Sequence, residues 1–161
     1  MKIDHNYLPE QFADVEAFID GIRAVVKRGD FTLGEEVALF EQEFAKMCGV
    51  KHAIGVGNGT DALFLAMKAL GVKTGTGDVI TTPYSFYATT ATIKNAGGHP
   101  VFVDVGRDFN IDPRLMEKAI TPHTVGVVVV HWAWRPCNMN AVMGIARTHG
   151  LAEYCCDLFC A

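Results

Sequence analysis

The chain has 161 residues, half of them hydrophobic and 20% charged, with a formal net charge of -4. This is a globular composition, not a disordered one. The acidic balance, with no basic cluster carrying interleaved aromatics, argues against a nucleic-acid or anionic-membrane surface. The start, Met1-Lys2-Ile3-Asp4-His5, is polar and lacks the apolar core of a signal peptide. The apolar runs are far too short to span a bilayer. A cytoplasmic protein with no membrane segment is therefore expected, its five cysteines present as free thiols.

Taken in chain order, the spacing predicts a helix over 10–28, with Phe12, Val15, Phe18, Ile19, Ile22, Val25 and Val26 on one stripe and Gly29 as its stop. A second helix is predicted over 35–47, with Glu35 and Glu36 in its first turn and Val37, Phe40, Phe44 and Met47 on its stripe. After Gly49 the pattern changes. Strands are expected over 52–56, 79–82, 101–105, 125–130 and 151–155. Helices are expected over 60–70, 86–95, 113–119 and 139–149. Asp112 before Pro113 is a capping residue followed by proline at the first helical position. Strands alternating with helices of this length imply crossover units and a mostly parallel sheet, hence the α/β class.

Between the first predicted strand and the helix at 60–70 lies Gly57-Asn58-Gly59-Thr60-Asp61-Ala62. Such a turn aims backbone N–H groups, a threonine hydroxyl and the positive end of a helix dipole at one spot, which suits a phosphate. The run also satisfies the G-x-G-x-x-A pattern of dinucleotide-binding turns. That reading wants an acid at the end of the next strand, and Asp78 lies at its start. Glycines that merely make a strand-to-helix turn are a third reading.

Thr82-Pro-Tyr-Ser-Phe-Tyr-Ala-Thr-Thr90 follows the second strand and clusters aromatics at its carboxyl end, the edge where open α/β sheets bind ligands. One aromatic there could stack on a flat heterocycle. Alternatively, Tyr84, Phe86 and Tyr87 pack the next helix against the sheet. Cys155, Cys156 and Cys160 do not have the spacing of a zinc site, since adjacent strand residues point to opposite faces. Asp104 and Asp108 read as strand-end and turn residues. His131 ends a strand and is at most a site-lining residue.

Together these segments resemble the DegT/DnrJ/EryC1/StrS sugar aminotransferases. The matching residues are Gly29-Asp-Phe-Thr-Leu-Gly34, Phe40-Glu-x-x-Phe44, Gly55-Val-Gly-Asn-Gly-Thr-Asp-Ala-Leu63, Gly77-Asp-Val-Ile-Thr-Thr-Pro-Tyr-Ser-Phe86, Pro100-Val-Phe-Val-Asp104, Asn110-Ile-Asp112, and Val130-His131 through Ile145-Ala-Arg-x-His-Gly150. The resemblance implies a partial fold type I large domain of a pyridoxal 5'-phosphate (PLP) enzyme. Two N-terminal helices (1–48) would precede an incomplete PLP-binding domain (49–161). It implies amino transfer from an amino acid such as glutamate to a keto group on a nucleotide-linked sugar, in a homodimer. Gly59, Thr60 and Asp61 fall on the family's phosphate-binding turn. Phe86 falls on the aromatic that stacks on the cofactor ring.

Two elements of that chemistry are in question. The family needs a lysine that bonds to the cofactor and moves the proton. Lysines stand here at 2, 27, 46, 51, 68, 73, 94 and 118, none at a matching position. The family also places Glu-Asp at a strand end, the aspartate holding the pyridine nitrogen. Aligned without gaps, Cys155 and Cys156 occupy those positions, and Asp157 lies one residue late. A local bulge is needed to bring Asp157 to the ring. Trp134, Asn138 and Asn140 depart from the pattern as well. The expectation is a truncated form that lacks transaminase activity by itself. The alternatives are a non-catalytic remnant that binds a phosphate ligand or a dimer partner, and a Rossmann-like nucleotide-binding domain.

Overall fold

The computed structural model describes the backbone of residues 7–75 and 77–157 and, apart from 134 and 153–157, their side chains. The described residues form two compact units, one up to Gly55 and one from Val56 onward. The stretch 49–55 thus belongs with the helical unit.

The helical unit holds α1 (Leu8–Gln11), α2 (Val15–Arg28) and α3 (Glu35–Cys48). The single helix expected over 10–28 is split. Asp14 accepts the amide of Ala17 at 3.2 Å and starts a new helix there. α2 closes at Gly29, whose left-handed φ of 70° suits glycine. Gly34 has no side chain with which to cap α3. Asp30 supplies the cap instead, accepting the Glu35 amide at 2.9 Å. Arg28 pairs with Glu36 and ties α2 to α3.

The strand expected over 52–56 does not form. A strand exists only as one member of a hydrogen-bonded pair, and this segment has no ladder partner among the described residues. The amide of Gly55 donates to Glu41 Oε1 at 2.7 Å. The local apolar pattern was right for a strand, but the partner was a separate, non-local requirement.

The second unit holds α4 (Gly59–Ala69), β1 (Asp78–Thr81), α5 (Tyr87–Ala96), β2 (His99–Phe102), α6 (Pro113–Lys118), β3 (Thr124–His131), a 3-10 turn (Trp132–Trp134), α7 (Met139–His149) and β4 (Ala152–Asp157). All three strand pairings are parallel, in the order β2-β1-β3-β4. The mostly parallel sheet expected from the sequence is present, and the helix over 139–149 falls where predicted.

Alternation along the strands divides the core. Val127 and Val129 face a cluster with Ile80, Met116, Val142 and Ala146, under α6 and α7. Val128 and Val79 face the other side, with Leu63, Met67, Ile93 and Ala96 from α4 and α5. Val127 to Val130 are therefore all buried, which explains why β3 reads as an unbroken apolar run. Each such valine contributes on the order of 1.5–3 kcal/mol by leaving water. Thr81 is the polar exception within β1. Its hydroxyl donates to the Val128 carbonyl at 3.0 Å, so its burial leaves nothing unsatisfied.

The chain runs from β1 to β2 on one side, then crosses back to β3 on the other. The boundary between β1 and β3 is thus the switch point, and the carboxyl ends of these strands flank the crevice where this sheet type binds ligands.

Candidate functional site

Three observations bring the sequence-selected residues to one edge. α5 follows the carboxyl end of β1, so its first turn, with Phe86 as N-cap residue, lies at that edge. The C-terminal ends of α4 and α5 lie together: Lys68 Nζ donates to the Ala96 carbonyl at 3.4 Å. A Cβ on Gly97 would overlap the backbone of Lys73 and Thr74. Two helices of similar length that pack side by side with their C-termini together run in the same direction. The N-terminus of α4, with Gly59, Thr60 and Asp61, therefore lies at the carboxyl edge with Phe86. β3 and β4 end on that edge at His131 and Asp157, which are register partners.

The turn itself is built by Asn58. Its Oδ1 accepts the Asp61 amide at 2.9 Å, and its Nδ2 donates to Asp61 Oδ2 at 3.0 Å. This reciprocal cap corrects one expectation. The Asp61 amide is already engaged, and its carboxylate is part of the cap, so Asp61 shapes the turn and does not offer a donor. A Cβ on Gly57 would stand 2.8 Å from Asp61 Oδ2, so a side chain there would push the Asp61 carboxylate out of its cap. Gly59 and Thr60 are exposed and occupy the first turn, where helix geometry leaves amides without a carbonyl to meet. A Cβ on Gly59 would meet nothing within 4 Å. Exposed first-turn amides at a helix N-terminus fit a phosphate.

The aromatics after β1 do not pack α5 onto the sheet. Tyr84, Phe86 and Tyr87 are 43%, 54% and 74% exposed. The Phe86 ring lies 4.6 Å from that of Tyr87. Tyr84 joins a cluster that the sequence did not announce, with its ring centroid 4.2 Å from Trp132 and 5.7 Å from Phe109. Phe109 holds a left-handed φ of 65° in its turn, an unfavourable conformation for a bulky residue.

Asp157 closes β4, and the β3–β4 register runs without interruption from Gly126↔Ala152 to His131↔Asp157. The bulge that would shift Asp157 by one position is not present in this pairing. The Asp157 side chain lies outside the described residues, as do the expectations for residues 158–161.

Asp78 opens β1 and pairs in register with His99, at the opposite edge. The dinucleotide reading, which needs an acid at the carboxyl edge, is not met. The lysines of this unit are also at the wrong edge. Lys68, Lys94 and Lys118 sit in the last turns of α4, α5 and α6, which lead toward strand amino ends, and Lys73 lies against Gly97. Asp104 and Asp108 serve local turns, accepting the Val105 amide at 2.8 Å and the Asn110 amide at 3.4 Å. Among the described residues no cluster of three metal-ligating side chains occurs. No described helix is long and apolar enough to cross a membrane.

A parallel sheet with an open helix N-terminus and an exposed aromatic at the same carboxyl edge defines the class of α/β ligand-binding domain. The DegT/DnrJ/EryC1/StrS aminotransferase family model matches residues 13–154, and the chain belongs to that family. Its sheet unit is part of the fold type I architecture of those enzymes. It is 44% identical over 134 residues to the spore coat polysaccharide biosynthesis protein SpsC of Bacillus subtilis, covering 83% of this chain and 34% of that protein. It is 39% identical over 147 residues to UDP-2-acetamido-2-deoxy-3-oxo-D-glucuronate aminotransferase of Pseudomonas aeruginosa, covering 89% of this chain and 40% of that protein. Among solved structures, NtdA of Bacillus subtilis with bound PMP cofactor superposes with a TM-score of 0.84 at 32% identity, covering 88% of this chain and 32% of that one. The chain thus spans two fifths or less of the length of these relatives.

Proposed function

We propose that this chain forms the cofactor-gripping part of a PLP-dependent aminotransferase that moves an amino group onto a keto group of a nucleotide-linked sugar. The observation that carries the reading is the shared edge: the open first turn of α4 and the half-exposed ring of Phe86 stand beside the carboxyl ends of β1, β3 and β4. The relatives' names support it, since one acts on a nucleotide-linked oxo sugar and a solved neighbour holds PMP.

In this reading the amides of Gly59 and Thr60 and the Thr60 hydroxyl hold the phosphate. Asp61 and Asn58 keep that turn in shape. Phe86 covers one face of the cofactor ring; Asp157, at the end of β4, would reach the pyridine nitrogen only through a bulge that the β3–β4 register lacks. The cofactor, when bound, supplies an electron sink for the carbon that loses its proton. The residues of the sheet unit bind and orient, but none of its four lysines stands at the carboxyl edge to make the covalent bond. The proposal includes glutamate as donor, a homodimeric assembly and a cytoplasmic setting, on the strength of the family resemblance. The dinucleotide alternative has Asp78 at the wrong edge and is not favoured.

The test is titration of the chain with PLP and with pyridoxal, followed by borohydride reduction. Saturable PLP binding that pyridoxal does not reproduce, with no adduct at a single lysine, is the expected result. Equal binding of both compounds removes the phosphate turn from the argument. A single-lysine adduct refutes the statement about the lysines.

A further inference from the structure

We infer that Asn110 is a positioning residue for this site: it fixes the turn after β3 so that the His131 ring is held as its Nε2–H tautomer at the carboxyl edge. The inference rests on the proposed function only where cofactor affinity is one of its readouts.

Asn110 is 1% exposed, and its amide is spent on one turn. Oδ1 accepts the Trp132 amide at 3.0 Å. Nδ2 donates to the carbonyls of Arg135 at 3.1 Å and Pro136 at 3.2 Å, with Asp108 Oδ2 at 3.5 Å. One side chain thus grips both ends of the 132–136 turn, from the loop before α6. The turn needs gripping, because Ala133 within it holds φ 48° and ψ 50°, a left-handed conformation that costs a non-glycine residue about 1 kcal/mol.

The consequence appears one residue further on. The Cys137 amide donates to His131 Nδ1 at 3.1 Å, and the Cys137 thiol donates to the Val130 carbonyl at 3.0 Å. A backbone N–H only donates, so Nδ1 must be the bare, accepting nitrogen. A neutral imidazole then carries its proton on Nε2. The chain of control runs from the Asn110 amide to the turn, from the turn to the Cys137 N–H, and from there to the ring. His131 is the last residue of β3 and the register partner of Asp157, so the ring is fixed at the carboxyl edge of the sheet. Neither aspartate nor alanine reproduces this set of bonds. Aspartate keeps an acceptor for Trp132 but sets a charge against two carbonyls, and alanine removes every bond.

The experiment uses the whole 161-residue chain with ¹⁵N-labelled histidine. Long-range ¹H–¹⁵N spectra report the ring tautomer, and a coupling across the hydrogen bond reports the Cys137–His131 contact. The wild-type ring should be Nε2–H and coupled to the Cys137 amide. In Asn110→Asp and Asn110→Ala the coupling should vanish and the tautomers mix. PLP affinity should fall about tenfold, the loss of roughly one hydrogen bond's worth of orientation. The Met67 methyl resonance, in the opposite core, monitors the fold. If Asn110→Ala does not fold, Asn110→Asp and the wild-type spectrum still decide. An Nδ1–H ring in the wild type overturns the inference, as does an unchanged ring in a folded variant. Unchanged PLP affinity in a variant whose tautomer has been lost overturns the role in the site. If the ring responds as stated but even the wild type binds no PLP, the proposed function falls and the control of His131 by Asn110 stands.

Discussion

Replacing Gly59 by proline removes one N–H from the proposed phosphate turn while leaving the helix in place. Gly59 is the first helical residue of α4, the position where proline is most readily accepted because its missing N–H has no intrahelical partner. The preceding residue, Asn58, already has extended backbone (φ -168°, ψ 174°), as a residue before proline should. A Cβ on Gly59 meets nothing within 4 Å. The substitution should therefore change stability by less than about 0.5 kcal/mol. A hydrogen bond to a charged group contributes about 1.5–3 kcal/mol, so PLP should bind roughly 10- to 150-fold more weakly. Gly59→Ala retains the amide and should bind within about twofold of wild type. Quenching of the tryptophan fluorescence (Trp132 and Trp134 follow β3) gives the affinities, and circular dichroism checks the helix. Wild-type affinity in a folded Gly59→Pro chain refutes the assignment of this amide to the phosphate. So does an equal loss in Gly59→Ala.

Phe86→Ala should weaken PLP binding about three- to tenfold, the loss of one aromatic stacking contact, and Phe86→Trp should restore most of it. Because the ring is 54% exposed, thermal stability should hardly move, and differential scanning fluorimetry checks that. Asp112 caps α6 and accepts two hydrogen bonds from the Arg114 side chain, which hold its pKa down from 3.8 to about 2. The full linkage would be about 2.4 kcal/mol, but Arg114 is 86% exposed, and solvent screening reduces it to about 1 kcal/mol. A lowered pKa stabilises above the unfolded value, and that stability is lost as pH falls toward about 2. Asp112→Asn should thus cost about 1 kcal/mol at pH 7 and almost nothing at pH ~2 in urea titrations, whereas a loss equal at both pH values contradicts the ion-pair account. Gly97→Ala places a Cβ at φ 102° against Lys73 and Thr74. It should cost at least about 2 kcal/mol and lower the midpoint by roughly 4–8 °C.

Much of the molecule is written in local pattern. The spacing of apolar residues in α2, α3 and α7, the Asp112-Pro113 start of α6 and the apolar run of β3 each follow from contacts within a few residues, or from a face that must leave water. Any reader of periodicity finds them. The start of α4 at Gly59 was equally legible, because a turn with two glycines and a threonine before an apolar-periodic run has a helix N-terminus's local pattern wherever it stands.

Tertiary structure decided everything that depends on a distant partner. Residues 52–56 have a strand's composition, but without a ladder partner among the described residues they form no strand. Asp61 sits in the phosphate motif, but Asn58 had already taken its amide. Asp78 is near the right sequence distance for a ribose acid, and parallel pairing with His99 puts it at the wrong edge. The buried Asn110, 22 residues before Trp132, looked like one letter of a family motif until the fold brought the turn after β3 onto it. Local propensity chooses the conformation of a segment; hydrogen-bond partners and sheet order choose what its side chains can reach, and those are set by residues far away in the chain.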